Sequence, residues 1–225
     1  MLKEIIKYLG KENDNLIISY KALRRLIGVM GILLPLINVL GGCLIAKIAI
    51  QQSISMYYYT NMRDFLVGLM FVVSLFLITY KGYSFIDLLV STAIGIAGLG
   101  VAIFPCYNEL VTERVGIFQL YSVNSNYIHL SCAVIFFVLL AINSIFLFTR
   151  TSQVKVTLQK ITRNKIYVVC GIVILICVLG LLLSYFMLTP EQRFETKIFL
   201  IIESIALLAF GISWLIKGET LFTDK

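Results

Sequence analysis

The chain has 225 residues, of which 60% are hydrophobic and only 14% are charged. Soluble domains contain roughly 45–50% apolar and about 25% charged residues, so this composition excludes an ordinary soluble protein. The net charge of +7 does not indicate nucleic-acid binding, because the basic residues occupy short segments beside apolar runs, as in membrane proteins.

Residues 1–25 form the first predicted unit, a cytoplasmic N-terminal segment. Its first ten residues place Leu2, Ile5 and Leu9 at helical spacing, opposite Lys3 and Lys7. This pattern predicts a short amphipathic helix that lies on the membrane surface.

Six long apolar runs follow between residues 26 and 217. They extend roughly over residues 26–48, 65–80, 88–104, 127–149, 166–188 and 198–216. A spanning helix needs about 20 mostly apolar residues, and the second and third runs reach this length only with their flanking residues. The runs are continuously apolar, whereas the strands of a membrane barrel alternate apolar and polar residues. The sequence therefore predicts an all-α, polytopic transmembrane bundle of about six helices, followed by a short tail at residues 218–225.

The distribution of lysine and arginine predicts the orientation of this bundle. On the six-helix topology, 14 of the 19 basic residues fall on one side of the membrane and 5 on the other. Cytoplasmic loops are enriched in lysine and arginine, so we expect both termini in the cytoplasm. Short loops without an organellar signal favour a multi-pass protein of a bacterial inner membrane.

The third run carries a face of small residues. Gly95, Gly98 and Ala102 lie on the same side of a helix. Small residues let a neighbouring backbone approach closely, so this face predicts tight helix packing.

Polar residues that would carry function gather at the predicted outer face of the membrane. The candidate ligand-binding residues are Ser55, Tyr58, Arg63, Asp64, His129 and Glu203. Glu203 is the most informative, because an ionisable group within a membrane helix costs about 2.5–3.5 kcal/mol on insertion scales and usually faces a partner or a cavity. We predict that it meets Arg63 and His129. It then serves either as a clamp between helices or as a group that handles a ligand or a proton.

Catalytic and metal-binding signatures are absent from the sequence. It contains no G-x-S-x-G elbow, no H-E-x-x-H, no P-loop and no dinucleotide fingerprint, so no catalytic residue and no cofactor is predicted. A single histidine excludes a metal site built on several histidines. Cys106 and Cys132 fall near the same predicted membrane surface, and a disulfide between them is left open.

The outer-face residues resemble the six-helix damage-regulated autophagy modulator (DRAM) family and its small bacterial relatives. The matching positions are Ile54, Ser55, Asp64, Phe65, His129, Glu203, Phe210, Gly211 and Trp214. The residues Met56-Tyr57-Tyr58 stand where the family has Asp-Thr-Gly. The resemblance implies a compact six-helix bundle with an outward-facing polar pocket, in a family linked to membrane-lipid organisation without an agreed enzymatic activity.

Three functions remain open from the sequence. The first is a non-enzymatic protein that binds a lipid head group or small amphiphile at an outer-leaflet pocket, with Arg63 on an anionic head group. The second is a small proton-coupled transporter that uses Glu203. The third is an intramembrane lipid hydrolase, with Ser53 or Ser55 beside His129 and Asp64. Membrane lipids are the expected partners; nucleic acid is not, and a homo-oligomer is left open.

Overall fold

The computed structural model describes residues 20–151, 157–220 and Phe222. The predicted amphipathic helix within residues 1–10 lies outside the described residues. The described residues form seven helices: α1 Tyr20–Leu44, α2 Arg63–Thr79, α3 Phe85–Ile103, α4 Ser122–Leu147, α5 Leu158–Met187, α6 Pro190–Thr196 and α7 Ile198–Lys217. A 3₁₀ turn, Ser55–Tyr59, precedes α2. A short antiparallel hairpin, with β1 at Arg114–Val115 and β2 at Leu120–Tyr121, joins α3 to α4.

Five of these helices are long and apolar enough to cross a membrane, namely α1, α3, α4, α5 and α7. The helix predicted from the second apolar run is α2, and it has 17 residues. At 1.5 Å per residue it measures about 26 Å, slightly less than the hydrocarbon thickness of about 30 Å. The predicted all-α, multi-pass transmembrane fold is confirmed.

The outer surfaces of the long helices are apolar. On α5, Val169, Ile176 and Leu183 each leave half or more of the side chain exposed. Soluble monomers rarely expose such continuous apolar faces to water, whereas lipid tails are as apolar as these side chains. These faces identify the surface of the bundle that meets the membrane.

Glycines bring two pairs of helices into close contact. A side chain on Gly95 or Gly98 would collide with Ser74 of α2, so α2 and α3 pack through the small face predicted from the sequence. Gly28 of α1 and Gly211 of α7 face each other in the same way. Close backbone approach replaces the hydrophobic effect, which is weak between helices in lipid.

The beginning of α1 is attached to the end of α7. Arg25 Nε donates to the carbonyl of Gly218 at 2.9 Å, and Lys21 Nζ lies 2.7 Å from the Glu219 carboxylate. The fully buried Trp214 packs edge-on against Tyr80 and Phe148 beside these contacts. Both ends of the described chain therefore lie at one end of the bundle, called here the termini end. Its assignment to the cytoplasm stays a prediction.

Candidate functional site: a cavity within the bundle

A cavity of about 300 Å³ lies toward the end of the bundle opposite the termini end. Its walls come from α1, α2, α3, α4, α5 and α7, together with the segment before α2. Apolar side chains form most of the lining, including Leu34, Met70, Phe136, Val178 and Leu207. Ligand sites in proteins occupy roughly 300–1,000 Å³ and are lined in this way, so the cavity is large enough for part of a small ligand.

The polar side chains of the lining belong to one end of the cavity. They are Ser55, Tyr58, His129, Tyr185 and Glu203. Ser55 begins the 3₁₀ turn, and Tyr185 lies in the last turn of α5. His129 is the eighth residue of α4, and Glu203 is the sixth residue of α7. Four of the six residues predicted from the sequence thus line one cavity.

Glu203 is held by backbone N–H groups. Its Oε2 atom accepts a hydrogen bond of 2.6 Å from the Ile54 N–H, and the Ser55 N–H also interacts with the carboxylate. Close by, the carbonyl of Gln52 accepts from the Leu200 N–H at 2.9 Å, satisfying a backbone donor that the first turn of α7 cannot use internally. These bonds fasten residues 52–55 to the beginning of α7.

The predicted contact between Arg63 and Glu203 is wrong. Arg63 opens α2 at the surface, with Nε 3.7 Å from the Asp64 carboxylate and more than half of its side chain exposed. Among the described residues, Glu203 forms no ion pair. The 3₁₀ turn explains the difference, because it directs backbone N–H groups toward Glu203 and carries the chain outward before Arg63.

His129 bridges two segments of the cavity wall. Its Nδ1 lies 2.7 Å from the Phe104 carbonyl oxygen, and its Nε2 lies 3.1 Å from Ser55 Oγ. A carbonyl oxygen only accepts, so Nδ1 carries the proton in this network. In the neutral ring Nε2 is then an acceptor, and the Ser55 hydroxyl donates to it. His129 is only 4% exposed, so the network is held within the protein.

The segment after α3, which supplies the Phe104 carbonyl, is itself fixed by side chains. Tyr59 donates from its hydroxyl to the Cys106 carbonyl at 2.6 Å, and Ser125 donates to the Pro105 carbonyl at 2.8 Å. Burial raises the pKa of Tyr59 to about 12, so this phenol remains a donor at neutral pH. These bonds hold the carbonyl that orients His129.

Arg63 and Asp64 line a second depression, an outer cleft of about 650 Å³. Its other polar residues are Tyr58, Tyr59, Thr60, Asn61 and Arg114. Tyr58 lines both the outer cleft and the cavity, and the Arg63 guanidinium lies 5.8 Å from its ring centre. The six predicted residues therefore divide between two adjacent sites separated by Tyr58.

The cavity wall also reaches the lipid-facing surface. Leu182, Tyr185 and Phe186 on α5 line the cavity, yet 42%, 45% and 80% of these side chains are exposed. On α4, Leu130 and Val134 combine lining and exposure in the same way. The cavity is therefore bordered on this side by residues that face the membrane.

Sequence reasoning missed several parts of the site. The Phe104 carbonyl and the Ile54 N–H are backbone groups, which leave no signal in residue type. Arg114 lies in a loop with no distinctive pattern, and Tyr185 lies near the end of an apolar run that indicates only a spanning helix. The described residues contain no cluster of three histidine, cysteine or acidic side chains suited to a metal ion. Cys106 and Cys132 are free thiols.

Comparisons of the chain with protein-family models, with curated proteins and with solved structures find no match. The resemblance to the DRAM family stays a prediction.

Proposed function

We propose that this membrane protein binds a single-chain amphiphile, with the apolar tail in the cavity and the polar part at Ser55, His129 and Glu203. The observation that carries the proposal is the segregation of the lining, in which the polar side chains occupy one end and the remaining walls are apolar. A molecule with the same division satisfies both parts, since burying a polar group without a partner is costly.

The position of the cavity supports entry from the membrane. Its lining includes Tyr185 and Phe186, which are exposed on the lipid-facing side of α5. An amphiphile already in the bilayer would reach the cavity without passing through water. On the orientation predicted from the basic residues, the polar end belongs to the outer leaflet.

The outer cleft supports an anionic head group. Arg63 and Arg114 both line it, and Tyr58 separates it from the cavity. Asp64 is the acid near Arg63, at the long distance of 3.7 Å and with its side chain 92% exposed. Exposed pairs of this kind contribute only about 0–1 kcal/mol, so a phosphate would compete effectively for the guanidinium.

Binding is tested with 1-palmitoyl lysophosphatidylglycerol as the probe, on the purified protein in a maltoside detergent. Ligand that binds only the folded state raises the melting temperature. We expect this rise to be largely lost in Ala133→Phe, which fills the cavity. It is retained in the control Ile135→Phe, on the lipid-facing side of the same helix. An equal rise in both variants would contradict binding in the cavity.

A further inference from the structure

The Ser55 hydroxyl and the His129 ring, which amphiphile binding places beside the polar part of the ligand, also have the arrangement of a nucleophile and its base. Oγ and Nε2 are 3.1 Å apart, within the reach that proton transfer between a nucleophile and its base requires. The acceptor state of Nε2 follows from the Phe104 carbonyl, which accepts a hydrogen bond of 2.7 Å from the Nδ1–H group. The Ser55 proton therefore points at a nitrogen lone pair.

We propose that Ser55 is a nucleophile, that His129 is its general base, and that the cavity cleaves acyl esters of single-chain lipids. This inference rests on the proposed amphiphile binding, because the tail in the apolar part would place the ester at the polar end. The class of substrate follows from the lining, which is apolar except at the polar end that contains this pair and so suits a long acyl chain.

The hydrogen bonding and the position of Ser53 distinguish it from Ser55. The Ser53 hydroxyl already accepts from the Met56 N–H at 3.1 Å and stabilises the 3₁₀ turn. Ser53 is also buried and absent from the cavity lining, whereas Ser55 lines the cavity. Asp64, which the sequence offered as the third member of a triad, lies in the outer cleft. The group that orients His129 is the Phe104 carbonyl.

Glu203 acts as a positioning residue. Its carboxylate binds the N–H of Ile54 and interacts with that of Ser55, so it fixes the backbone that carries the nucleophile. It has no contact with Nδ1 of His129, whose partner is the Phe104 carbonyl. Glu203 therefore orients the nucleophile Ser55 and does not orient the His129 ring.

The reaction balances with water as the second substrate. Ser55 Oγ bonds to the acyl carbon, and its proton passes to Nε2 of His129. The bond from the acyl carbon to the lipid alcohol breaks, and the departing oxygen takes that proton. Water then attacks the acyl-serine and gives a proton to His129, which returns it to Ser55 Oγ as the fatty acid leaves.

An alkyl fluorophosphonate tests the nucleophile, because a base-activated serine forms an Oγ–P bond with it and expels fluoride. We expect mass spectrometry of the wild-type protein to locate the adduct on Ser55. Labelling is lost in Ser55→Ala. It is retained in the control Ser131→Ala, because the hydroxyl of Ser131 donates to the Tyr127 carbonyl on the exposed side of α4. A folded His129→Gln protein labels at least about 100-fold more slowly, the smallest usual effect of losing a general base.

Hydrolysis is measured as palmitate released from 1-palmitoyl lysophosphatidylglycerol, which wild type produces and Ser55→Ala does not. No adduct on Ser55, or no palmitate, in a protein whose melting temperature still rises with this lipid would overturn the nucleophile and leave amphiphile binding intact. Absence of the temperature rise would instead contradict the binding proposal. The wild-type measurements decide these outcomes even where a His129 variant fails to fold.

Discussion

The Glu203 carboxylate accepts the Ile54 N–H at 2.6 Å, across 149 positions of the chain. This bond joins α7 to the segment that leads into the 3₁₀ turn and fixes the residue preceding Ser55. A carboxylate that accepts from backbone donors is a strong and well-directed acceptor.

Replacing Glu203 by glutamine should preserve much of the bond, because the amide oxygen still accepts from the Ile54 N–H. Glu203→Leu leaves the Ile54 N–H without an acceptor, which should lower the free energy of unfolding by about 1–3 kcal/mol. We expect a clear loss of thermal stability and of fluorophosphonate labelling in the leucine variant, with substantial rescue of both in Glu203→Gln. Equal labelling rates in the two variants would contradict a positioning role.

Arg63 and Glu203 should behave as independent residues, because Arg63 lies at the surface beside Asp64. In a double-mutant cycle of Arg63→Gln and Glu203→Gln, the effects on stability should add within about 0.3–0.5 kcal/mol. A larger coupling energy would mean that the two charges meet in the membrane, contrary to the observed arrangement.

Two glycines should respond in opposite directions to alanine. A methyl group on Gly95 would press on the Ser74 carbonyl and Ile78, so Gly95→Ala should destabilise by about 1–3 kcal/mol. A methyl group on Gly68 meets nothing within 4 Å, and alanine at this α2 position should stabilise by roughly 0.5–1 kcal/mol. Melting temperatures in detergent measure both. A harmless Gly95→Ala would mean that α2 and α3 are more loosely packed.

Cys106 should resist alkylation at neutral pH. Burial raises the pKa of its thiol to about 12, and the nearby Glu203 carboxylate acts in the same direction. The reactive thiolate is therefore scarce until the pH approaches that value, and modification should accelerate as the pH rises. Mass spectrometry after brief iodoacetamide treatment at pH 7.5 should find Cys106 unmodified in the folded protein and modified after denaturation. Fast modification at this pH would show that the thiol is accessible.

The termini end should face the cytoplasm. This prediction is based on the 14 basic residues on that side, which include Lys21 and Arg25, because cytoplasmic segments are enriched in lysine and arginine. Reporter fusions at Lys225 and within residues 150–165 should both give cytoplasmic signals. A signal from the opposite compartment at either position would reverse the orientation and place the cavity's polar end in the inner leaflet.

The sequence by itself determined the spanning helices and the close packing at Gly95 and Gly98. Both depend on the affinity of a segment for lipid and on residue size, which are properties of the local sequence. It also brought His129 and Glu203 to the same end of the bundle, since each lies near the beginning of an apolar run that starts on that side.

Only the tertiary structure decided which groups these residues meet. Glu203 contacts the Ile54 N–H rather than Arg63, and His129 contacts the Phe104 carbonyl and Ser55. These partners lie in irregular segments, where the direction of each N–H and carbonyl depends on backbone angles that distant contacts impose. Residue type leaves those angles open, because every residue except proline offers the same backbone donor and acceptor.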